Sequence, residues 1–589
     1  VGRMFREFAL TLSIAVVVSA VVSLTLTPMM CARLLGGSAS GEAPPGSWTA
    51  RLLAPFEWPI AAMARAYEAS LGWALAHVRT VLAVTLASLA ATAWLWVASP
   101  KGFLPNQDTG LVSVVLEGAA SASFDEMTRL QDAVAGAFQS DPDVRGVVAV
   151  LGIGSLNATT NTARMTVDLK PRDERRSTAA EIAERLRRLG DAVPGAVVYA
   201  QPVQDVRIGM RASRSQYQYT LTGTDGARVA DRAEALAAAM AARLEFANVA
   251  LETRRDGLAV HLAIDRERAG RLGVSVQSID DALANAFAQR RVSTIYAQSN
   301  QYRVILEAAS EGADGAELLA RLHVPAAGGA QVPLSSVARI ERRTAPLSVA
   351  REDQFPAATI SFDAAPGVSL DTCLATIETM RAASGEDGVG GRADADAAEF
   401  TRSLASQPWL ILAAVATIYV VLGVLYESFA HPFTILTTLP SAGVGALIAL
   451  RLTGQDLSIV ALIGIVLLMG IVKKNAIMMI DFALVAERER GLAPEAAIVE
   501  ACRLRFRPIM MTTLAALLGA VPLAFAQGTG SELRIPLGIT IIGGLLLSQL
   551  LTLYTTPVIY LAIERLSARL RRRFAGPAAT VPPEVEAER

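Results

Sequence analysis

The segment Leu457–Asp481 reads LSIVALIGIVLLMGIVKKNAIMMID. A helix needs about 20 predominantly apolar residues to cross a bilayer, and the run before Lys473 is shorter than that. Beyond Lys474, the apolar run resumes at Ala476–Ile480. We therefore predict one helix that continues through both lysines and carries them into the membrane. The alternative is a helix that ends at Val472 and leaves both lysines at the membrane surface.

A lysine inside the membrane needs a partner, because it costs about 2.5–3.5 kcal/mol on insertion scales. Adjacent residues point about 100° apart on a helix, so one lysine of the pair is expected to face a given site. The acidic residues Glu427 and Asp481 lie at the ends of apolar segments, not inside them. We expect the acidic partner to belong to a part of the protein outside this sequence. Proton uptake by that acid would then release the lysine.

The whole chain has the composition of a membrane protein. Of its 589 residues, 52% are hydrophobic and 19% are charged, whereas soluble domains are about 25% charged. The mean hydropathy is +0.38. The segments that can span a bilayer as helices are Ala9–Cys31, Thr80–Ser99, Pro408–Tyr426, Phe433–Leu450, Leu457–Ile480, Ile509–Ala526 and Ile535–Ile563. The expected fold is an α-helical membrane bundle of seven spans with a large external α+β region.

Arginine placement orients these spans. The arginines that fall on one side under simple alternation are Arg33, Arg51, Arg65, Arg79, Arg488, Arg490, Arg503, Arg505, Arg507, Arg565, Arg569, Arg571, Arg572 and Arg573. Positively charged links lie in the cytoplasm, so Pro100–Gln407 faces outward, into the periplasm of a Gram-negative bacterium. In the first link, Trp48–His77 has the amphipathic, aromatic pattern of a helix on the membrane surface.

The external stretch is predicted to contain two α+β units. The elements of the first are Leu111–Glu117, Phe124–Phe138, Val144–Val150, Arg164–Leu169, Thr178–Leu189 and Ala196–Gln201, in the strand and helix order of a split βαβ (ferredoxin-like) unit. Thr178 and Glu181 form a capping-box pattern. The elements of the second are Tyr217–Thr222, Ala227–Leu244, Val337–Glu341, Ala357–Phe362 and Ser369–Ala382. Gly257–Ser336 is predicted to be an insertion, and the Gly- and acid-rich Gly385–Asp394 a loop.

These observations divide the chain into consecutive parts. They are 1–34, a membrane helix; 35–79, a cytoplasmic link; 80–99, a membrane helix; 100–211, the first α+β unit; 212–256 and 337–404, the two pieces of the second; 257–336, the insertion; 405–563, five membrane helices; and 564–589, a cytoplasmic tail.

The composition also excludes several functions. A net charge of −1 leaves no basic footprint for nucleic acid. The 3 cysteines and 4 histidines are scattered along the chain, so we expect neither a disulfide scaffold nor a metal site. The sequence has no phosphate-binding glycine motif and no nucleophile–base–acid set. We therefore expect no enzyme activity and interpret the external region as a binding and assembly module.

Four motifs resemble transporters of the resistance-nodulation-division (RND) type. Gly470–Phe482 resembles the lysine-bearing span of RND multidrug pumps, and Arg505–Thr512 resembles the start of their penultimate span. Ser23–Cys31 and Gly102–Gly110 resemble the joints before the cytoplasmic helix and after the next span. The features most like the heteromeric MdtB/MdtC branch of the hydrophobe/amphiphile pumps are the doubled lysine, Ser531–Ile539 and Thr552–Pro557.

The resemblance implies an inner-membrane pump that uses the proton-motive force and no cofactor. Such pumps have twelve spans in two repeated halves, and this chain would hold the last span of the first half and the whole second half. Homo- or hetero-trimers of RND subunits join a periplasmic membrane-fusion adaptor and an outer-membrane channel, and export small amphiphilic compounds. The two α+β units would be porter subdomains, and the insertion would belong to the docking domain.

The resemblance also implies roles for individual residues in the membrane. Lys474 matches the lysine that pairs with two aspartates of an earlier span, and Arg505 and Thr512 match the arginine and threonine of the proton relay. We add the neighbours Lys473 and Asn475 to this predicted relay.

In the external region, fewer of the family's residue types are found at the matching positions of this chain. Gly152–Asn161 lies where the family has its flexible switch loop, and its candidate residues are Gly152, Gly154 and Asn157. The candidate substrate-binding residues are Val148, Val150, Ile153, Ser155 and Thr166. Known members have phenylalanines at the last three of these positions, and aromatic rings bury large apolar areas. The usual drug range is therefore not implied for this chain.

Two alternatives remain open. One is an RND exporter of metals or lipids, although Met165 and Met210 are few methionines for a metal path. The other is a structural subunit of a heteromeric pump that does not itself couple protons to transport.

Overall fold

The computed structural model describes residues 2–34, 48–154, 157, 159–206, 213–252, 255–309, 315–383, 385 and 388–574. The chain begins with three helices, α1 (Gly2–Leu34), α2 (Trp48–Ala76) and α3 (Val78–Ala98). The predicted surface helix corresponds to α2. Part of the predicted cytoplasmic tail, 575–589, lies outside the described residues.

The first α+β unit has the predicted order of elements. They are β1 (Leu111–Glu117), α4 (Phe124–Gln139), β2 (Val144–Leu151), β3 (Thr162–Leu169), α5 (Ala179–Asp191) and β4 (Val197–Pro202). The antiparallel sheet has the order β2-β3-β1-β4. Alternate residues of β1, such as Val114, are buried in one cluster with Met127 of α4 and Ile182 of α5. Thr178 and Glu181 form the predicted capping box at the start of α5.

The second unit and its insertion follow. Their elements are β5 (Tyr217–Thr222), α6 (Gly226–Ala241), β6 (Phe246–Leu251), β7 (Gly257–Ile264), α7 (Arg266–Arg271), α8 (Val276–Phe287), β8 (Arg290–Tyr296), β9 (Gln301–Leu306), α9 (Gly315–Arg321), β10 (His323–Pro325), β11 (Gln331–Pro333), β12 (Ala338–Ala345), β13 (Ala350–Glu352), β14 (Phe355–Ala364), α10 (Leu370–Ala383) and β15 (Gly390–Asp394). The sheet of the second unit runs β13-β14-β5-β15, with β6 paired to β14.

One strand of the second unit was predicted in the wrong place. Val337–Glu341 was expected to resume the second sheet, but β12 pairs with β7 along its whole length, with Ile340 opposite Leu262. Val337 and Ala338 are buried with Ile279 in the core of the insertion. The insertion therefore extends beyond its predicted end, because its own apolar core holds this strand.

The predicted loop at Gly385–Asp394 is also wrong in its second half. Gly390–Asp394 forms β15, which pairs with β5 at the edge of the second sheet. A side chain at Gly391 would overlap the Tyr219 ring and Arg381. The glycine is thus needed for close packing in a strand, whereas its composition indicated a loop.

The remaining helices build the membrane bundle. They are α11 (Ala395–Tyr426), α12 (Ala430–Leu436), α13 (Leu439–Leu452), α14 (Ile459–Arg490), α15 (Pro494–Ala524) and α16 (Ser531–Phe574). Among the described residues, the helical segments long and apolar enough to cross a membrane are Arg6–Arg33, Val78–Ala98, Ala395–Tyr426, Ala430–Leu452, Ile459–Arg490, Pro494–Ala524 and Ser531–Ser567. Each predicted span overlaps one of them.

Helix α14 lies at the centre of this bundle. It packs against α13, α15 and α16, and 72% of its apolar window is buried, compared with 0% for α1. Small residues let these helices approach closely, as is usual in membranes. A methyl group at Gly445 would overlap the carbonyl oxygen of Gly543, and one at Gly544 would overlap Leu468 of α14.

The segment between α3 and β1 joins the membrane helices to the external units. The backbone N–H of Ile459, at the start of α14, donates to the carbonyl of Phe103 at 3.2 Å, and that of Leu457 donates to the carbonyl of Pro100 at 2.9 Å. Phe103 is buried beside Phe400 of α11. One hydrophobic cluster contains both aromatic residues, Ile463 of α14 and much of the second unit.

The same segment is held to the first unit by a buried ion pair. Arg175 donates to both carboxylate oxygens of Asp108, with Nη1 2.9 Å from Oδ2, and both side chains are buried. The first helical N–H of α5, that of Ala179, donates to the same carboxylate at 2.9 Å. Burial by itself raises the pKa of Asp108, but the hydrogen bonds from Arg175 and Ala179 outweigh it and hold the pKa below its ordinary value.

Replacing Arg175 with Met is expected to leave Asp108 buried without its partner and to destabilise the first unit by about 3–5 kcal/mol. The difference from wild type should shrink below about pH 4, because a protonated Asp108 carries no charge to satisfy. Hydrogen exchange of the β1 and α5 amides measures this local stability. The control is Arg145→Met, which removes an exposed pair with Asp168 and should cost less than about 1 kcal/mol. Equal losses in both variants would contradict the prediction.

Candidate functional site

The two lysines of α14 lie on different sides of the helix. Lys473 is 8% exposed and faces the interior of the bundle, whereas its neighbour Lys474 is exposed. This separation follows from the 100° rotation between successive helical residues. In the part of the chain that the structure describes, neither lysine forms an ion pair. Lys474 therefore points away from the bundle, although α14, which carries it, is the most buried of the candidate spans.

A cluster of neutral polar side chains, Asn475, Thr513 and Gln549, lies beside the lysines. Asn475 Nδ2 donates to Gln549 Oε1 at 2.8 Å and to Thr513 Oγ1 at 3.2 Å. The Thr513 hydroxyl donates to the same Gln549 oxygen at 2.8 Å. Asn475 and Thr513 are buried. This amide–hydroxyl cluster joins α14, α15 and α16 directly after the lysine pair.

The candidate Thr512 and its neighbour Thr513 have different contacts in the structure. The Thr512 hydroxyl donates to the carbonyl of Ile509 in its own helix at 3.1 Å, and Thr513 is the one that reaches Asn475. The predicted relay did not include Gln549. It is the one side-chain amide in the apolar segment Ile535–Ile563, and a polar residue inside a membrane segment marks a candidate functional site.

Arg505 of α15 lies beside the C-terminal part of α14. Its guanidinium carbon is 5.0 Å from the centre of the Phe482 ring, and that of Arg490 is 5.5 Å from the same ring. Phe482 follows Lys474 by about 12 Å along the helix axis. The Nε of Arg505 is buried and has no hydrogen-bond partner in the structure. The structure thus brings Asn475 next to Thr513, but it does not bring Arg505 to the lysines.

The candidate switch loop begins after β2 and is held by Asn157. This buried side chain donates to the carbonyls of Val150 at 3.0 Å and Gly152 at 3.2 Å. The N–H of Gly154 donates to the carbonyl of Asn157 at 3.0 Å. Gly152 has a φ of +101°, which residues with a side chain rarely adopt. Ser155 lies outside the described residues.

The other candidate substrate residues share an open surface. Val148 is paired with Thr166 across β2 and β3, and Val150 is two residues further on the same face. Val148 is 68% exposed and Ile153 is 70% exposed. Helices α4 and α5 cover the opposite face of this sheet. The outer face of the first unit therefore combines exposed apolar side chains with Thr166 and with Arg164, which is paired with Val150.

A separate cavity of about 840 Å³ lies between the two α+β units and the outer ends of the membrane helices. Its walls include Phe103, Arg187 of α5, Gln201 of β4, Asp363 of β14 and Asp456 before α14. Burial raises the pKa of Asp363 despite the hydrogen bonds that it accepts from Asn248 and Gln216. The cavity combines apolar, cationic and acidic groups, and the sequence analysis did not find it because its walls come from distant segments.

The described residues contain no group of three or more His, Cys, Asp or Glu side chains that could hold a metal ion. Met165 is buried in the core of the first unit, and Met210 lies outside the described residues. The site in the membrane therefore consists of two lysines, a neutral hydrogen-bonded cluster and a more distant arginine.

Two crystal forms of a heavy metal efflux pump have a similar fold. Both have a TM-score of 0.76 and 24% sequence identity over 86% of this chain, and the match covers 53% and 52% of those chains. The chain thus spans about half the length of these solved structures, and identity at this level shows the fold alone. Residues 1–564 match the AcrB/AcrD/AcrF family. The chain therefore belongs to the AcrB/AcrD/AcrF family of RND efflux transporters.

Proposed function

We propose that this chain belongs to an inner-membrane pump that couples proton entry to the export of small amphiphilic compounds. The observation that carries the proposal is the position of Lys474, an exposed lysine on the central helix of a bundle from an efflux family. A charge at this position calls for a carboxylate partner. We propose that this partner belongs to a part of the pump outside this chain.

The proposed coupling step is a change in the partner of Lys474. While the facing carboxylate is ionised, it attracts Lys474 and holds α14 in one position. When the carboxylate takes up a proton from the periplasmic side, the attraction ends and α14 can shift. Neutral Asn475, Thr513 and Gln549 cannot carry charge at this point, so their part is to hold the three helices in register around the lysine.

The outer end of α14 offers a path from this step to the external units. Its hydrogen bonds to Pro100 and Phe103 and the shared core with Phe400 connect any displacement of α14 to the segment that enters the first unit. Phe103 also lines the cavity between the two units, whose other walls come from both units. We propose that movement of α14 changes the opening of the cavity and so alternates substrate access.

Amphiphilic substrates fit the surfaces available. The outer sheet face carries Val148 and Val150 beside Thr166 and Arg164, and Ile153 is exposed just beyond β2. The cavity also provides both signs of charge. We propose that the porter subdomains correspond to the two α+β units and the docking subdomain to the insertion. The pump would act as a homo- or hetero-trimer with a periplasmic adaptor and an outer-membrane channel of a Gram-negative cell.

Heavy-metal export is the second candidate, because the similar solved structures are described as heavy metal efflux pumps. The described residues provide no group of three or more His, Cys, Asp or Glu side chains that could hold a metal ion. The proposal therefore remains an exporter of amphiphiles.

Replacing Lys474 with Ala is expected to lower efflux of an amphiphilic dye to the level of cells without the pump, because no charge then responds to the facing carboxylate. Ethidium efflux, measured in cells with equal amounts of pump protein, tests this. Lys170→Ala removes a lysine outside the membrane helices and is the matched control. Wild-type efflux in the Lys474 variant would indicate a subunit that does not couple protons to transport.

Replacing Gln549 with Leu is expected to reduce efflux about 3- to 20-fold, because interhelical hydrogen bonds in membranes contribute about 0.6–1.7 kcal/mol each. The same ethidium measurement applies. Ser548→Ala is the control, since Ser548 is buried on the same helix but contacts Thr552 within that helix. Similar losses in the two variants would mean that the cluster is not specific to coupling.

Cells that produce the pump are expected to tolerate ethidium better than cells without it, and to gain no tolerance to copper, silver, zinc or cadmium salts. The physical reason is the combination of apolar binding surfaces with the lack of a ligand cluster in the described residues. Growth at graded concentrations measures both responses. Tolerance to a metal alone would favour the second candidate.

A further inference from the structure

A buried histidine with a free ring nitrogen lies at one end of the bundle. His431, in the first turn of α12, is 7% exposed, and its Nδ1 has no hydrogen-bond partner in the structure. Leaving a buried polar atom unpaired costs about 1–3 kcal/mol, so such an atom needs an explanation. The arginines in the last turns of α14 and near the end of α16 indicate that this end of the bundle faces the cytoplasm.

His431 lies between two tyrosines from neighbouring helices. The Tyr560 ring of α16 stacks on it at 5.9 Å and 22°, and the Tyr426 ring of α11 meets it edge-on at 6.3 Å and 70°. The Tyr560 hydroxyl donates to Glu487 Oε1 of α14 at 2.6 Å. The imidazole of His431 therefore contacts the ring of Tyr560, whose hydroxyl is hydrogen-bonded to the carboxylate of Glu487.

Charged groups surround this cluster from each packed helix. Glu564 of α16 and Arg488 of α14 act electrostatically on His431, and Asp481 of α14 acts on Tyr426. Glu564 would stabilise a protonated imidazole, whereas burial and Arg488 favour the neutral ring.

The cluster lies on the Lys473 side of α14. Ile477 is one turn beyond Lys473, and the Tyr426 hydroxyl donates to its carbonyl at 3.5 Å. Glu487 is four turns beyond Lys473 and returns to nearly the same side of the helix, about 21 Å along its axis. A series of contacts therefore begins at Ile477, one turn beyond Lys473, and passes through Tyr426, His431 and Tyr560 to Glu487 near the C-terminal end of α14.

We propose that His431 is the proton-release residue of the pump, at the cytoplasmic end of the membrane helices. The proton that enters from the periplasmic side is transferred to the free electron pair on Nδ1, which gives an imidazolium. The imidazolium then releases one proton to cytoplasmic water and returns to its neutral form, so that one proton crosses and the residue is unchanged. Histidine suits this role because its proton affinity lies near physiological pH. The proposal rests on the proton drive proposed above.

The test uses the full-length pump with its native subunits in proteoliposomes whose α+β units face the bath. Ethidium is the transported probe, and pyranine in the lumen reports proton entry. The lumen then represents the cytoplasm, and its pH is varied from about 6 to 8 at a constant pH difference across the membrane. Wild-type proton entry is expected to slow as the lumen becomes acidic, because a protonated His431 cannot release its proton.

His431→Phe keeps a ring between the two tyrosines but cannot carry a proton. We expect ethidium-dependent proton entry to slow about tenfold or more, since positioned acids and bases contribute about 100-fold to proton transfer and water can replace part of this. The ethidium concentration for half-maximal rate should not change, and the dependence on lumen pH should disappear. A wild-type rate with a wild-type pH profile would overturn the proposal and leave His431 as a packing residue.

A second variant covers the case in which His431→Phe does not assemble. Glu487→Gln can still accept the Tyr560 hydrogen bond but removes the acid, and we expect a shifted lumen-pH profile; an unchanged profile would overturn the proposal. His261→Phe changes an exposed histidine on β7; it is the control and should behave as wild type.

The Lys474→Ala variant separates this inference from the proposed function. If Lys474→Ala retains ethidium-dependent proton entry, the proposed function itself fails. If Lys474→Ala abolishes proton entry while His431→Phe retains the wild-type rate of proton entry, only the inference about His431 fails.

Discussion

The rest of the structure depends on one constraint, which is that a helix with two adjacent lysines must lie inside an apolar bundle. Lipid would make such a helix costly, so α14 is surrounded by α13, α15 and α16, with glycines at Gly445, Gly543 and Gly544 that allow close contact. The cluster of Asn475, Thr513 and Gln549 satisfies its own hydrogen bonds. The bundle thereby encloses Lys473 and this polar cluster, while Lys474 stays exposed on an open side.

The same constraint gives the lysines different surroundings. Lys473 is enclosed by the helices of this chain, and Lys474 is left on an open side. The open side suits an acid supplied by a facing segment. On the enclosed side, Tyr426 contacts His431, and Tyr560 links His431 to Glu487. Two sides of a single helix therefore have different polar surroundings.

The outer end of α14 determines how this bundle meets the external units. The Phe103 segment bonds to the first turn of α14, packs in the core of the second unit, and leads directly to Asp108, which is fixed in the first unit by Arg175. A rigid helix, a buried aromatic residue and a buried ion pair follow one another over a short length of chain. Movement in the membrane can thus reach both units without a flexible linker.

The sequence by itself determined the elements that depend on local patterns. Span-length apolar runs, the strand and helix order of the first unit and the Thr178 capping box are properties of neighbouring residues, so they could be predicted. The tertiary structure decided what depends on distant neighbours. It paired β12 with the insertion, made a strand of Gly390–Asp394, placed Thr513 instead of Thr512 against Asn475, and brought Gln549 into the same polar cluster. Side-chain direction and burial come from helices and strands that are distant in the sequence, and no local pattern encodes those contacts.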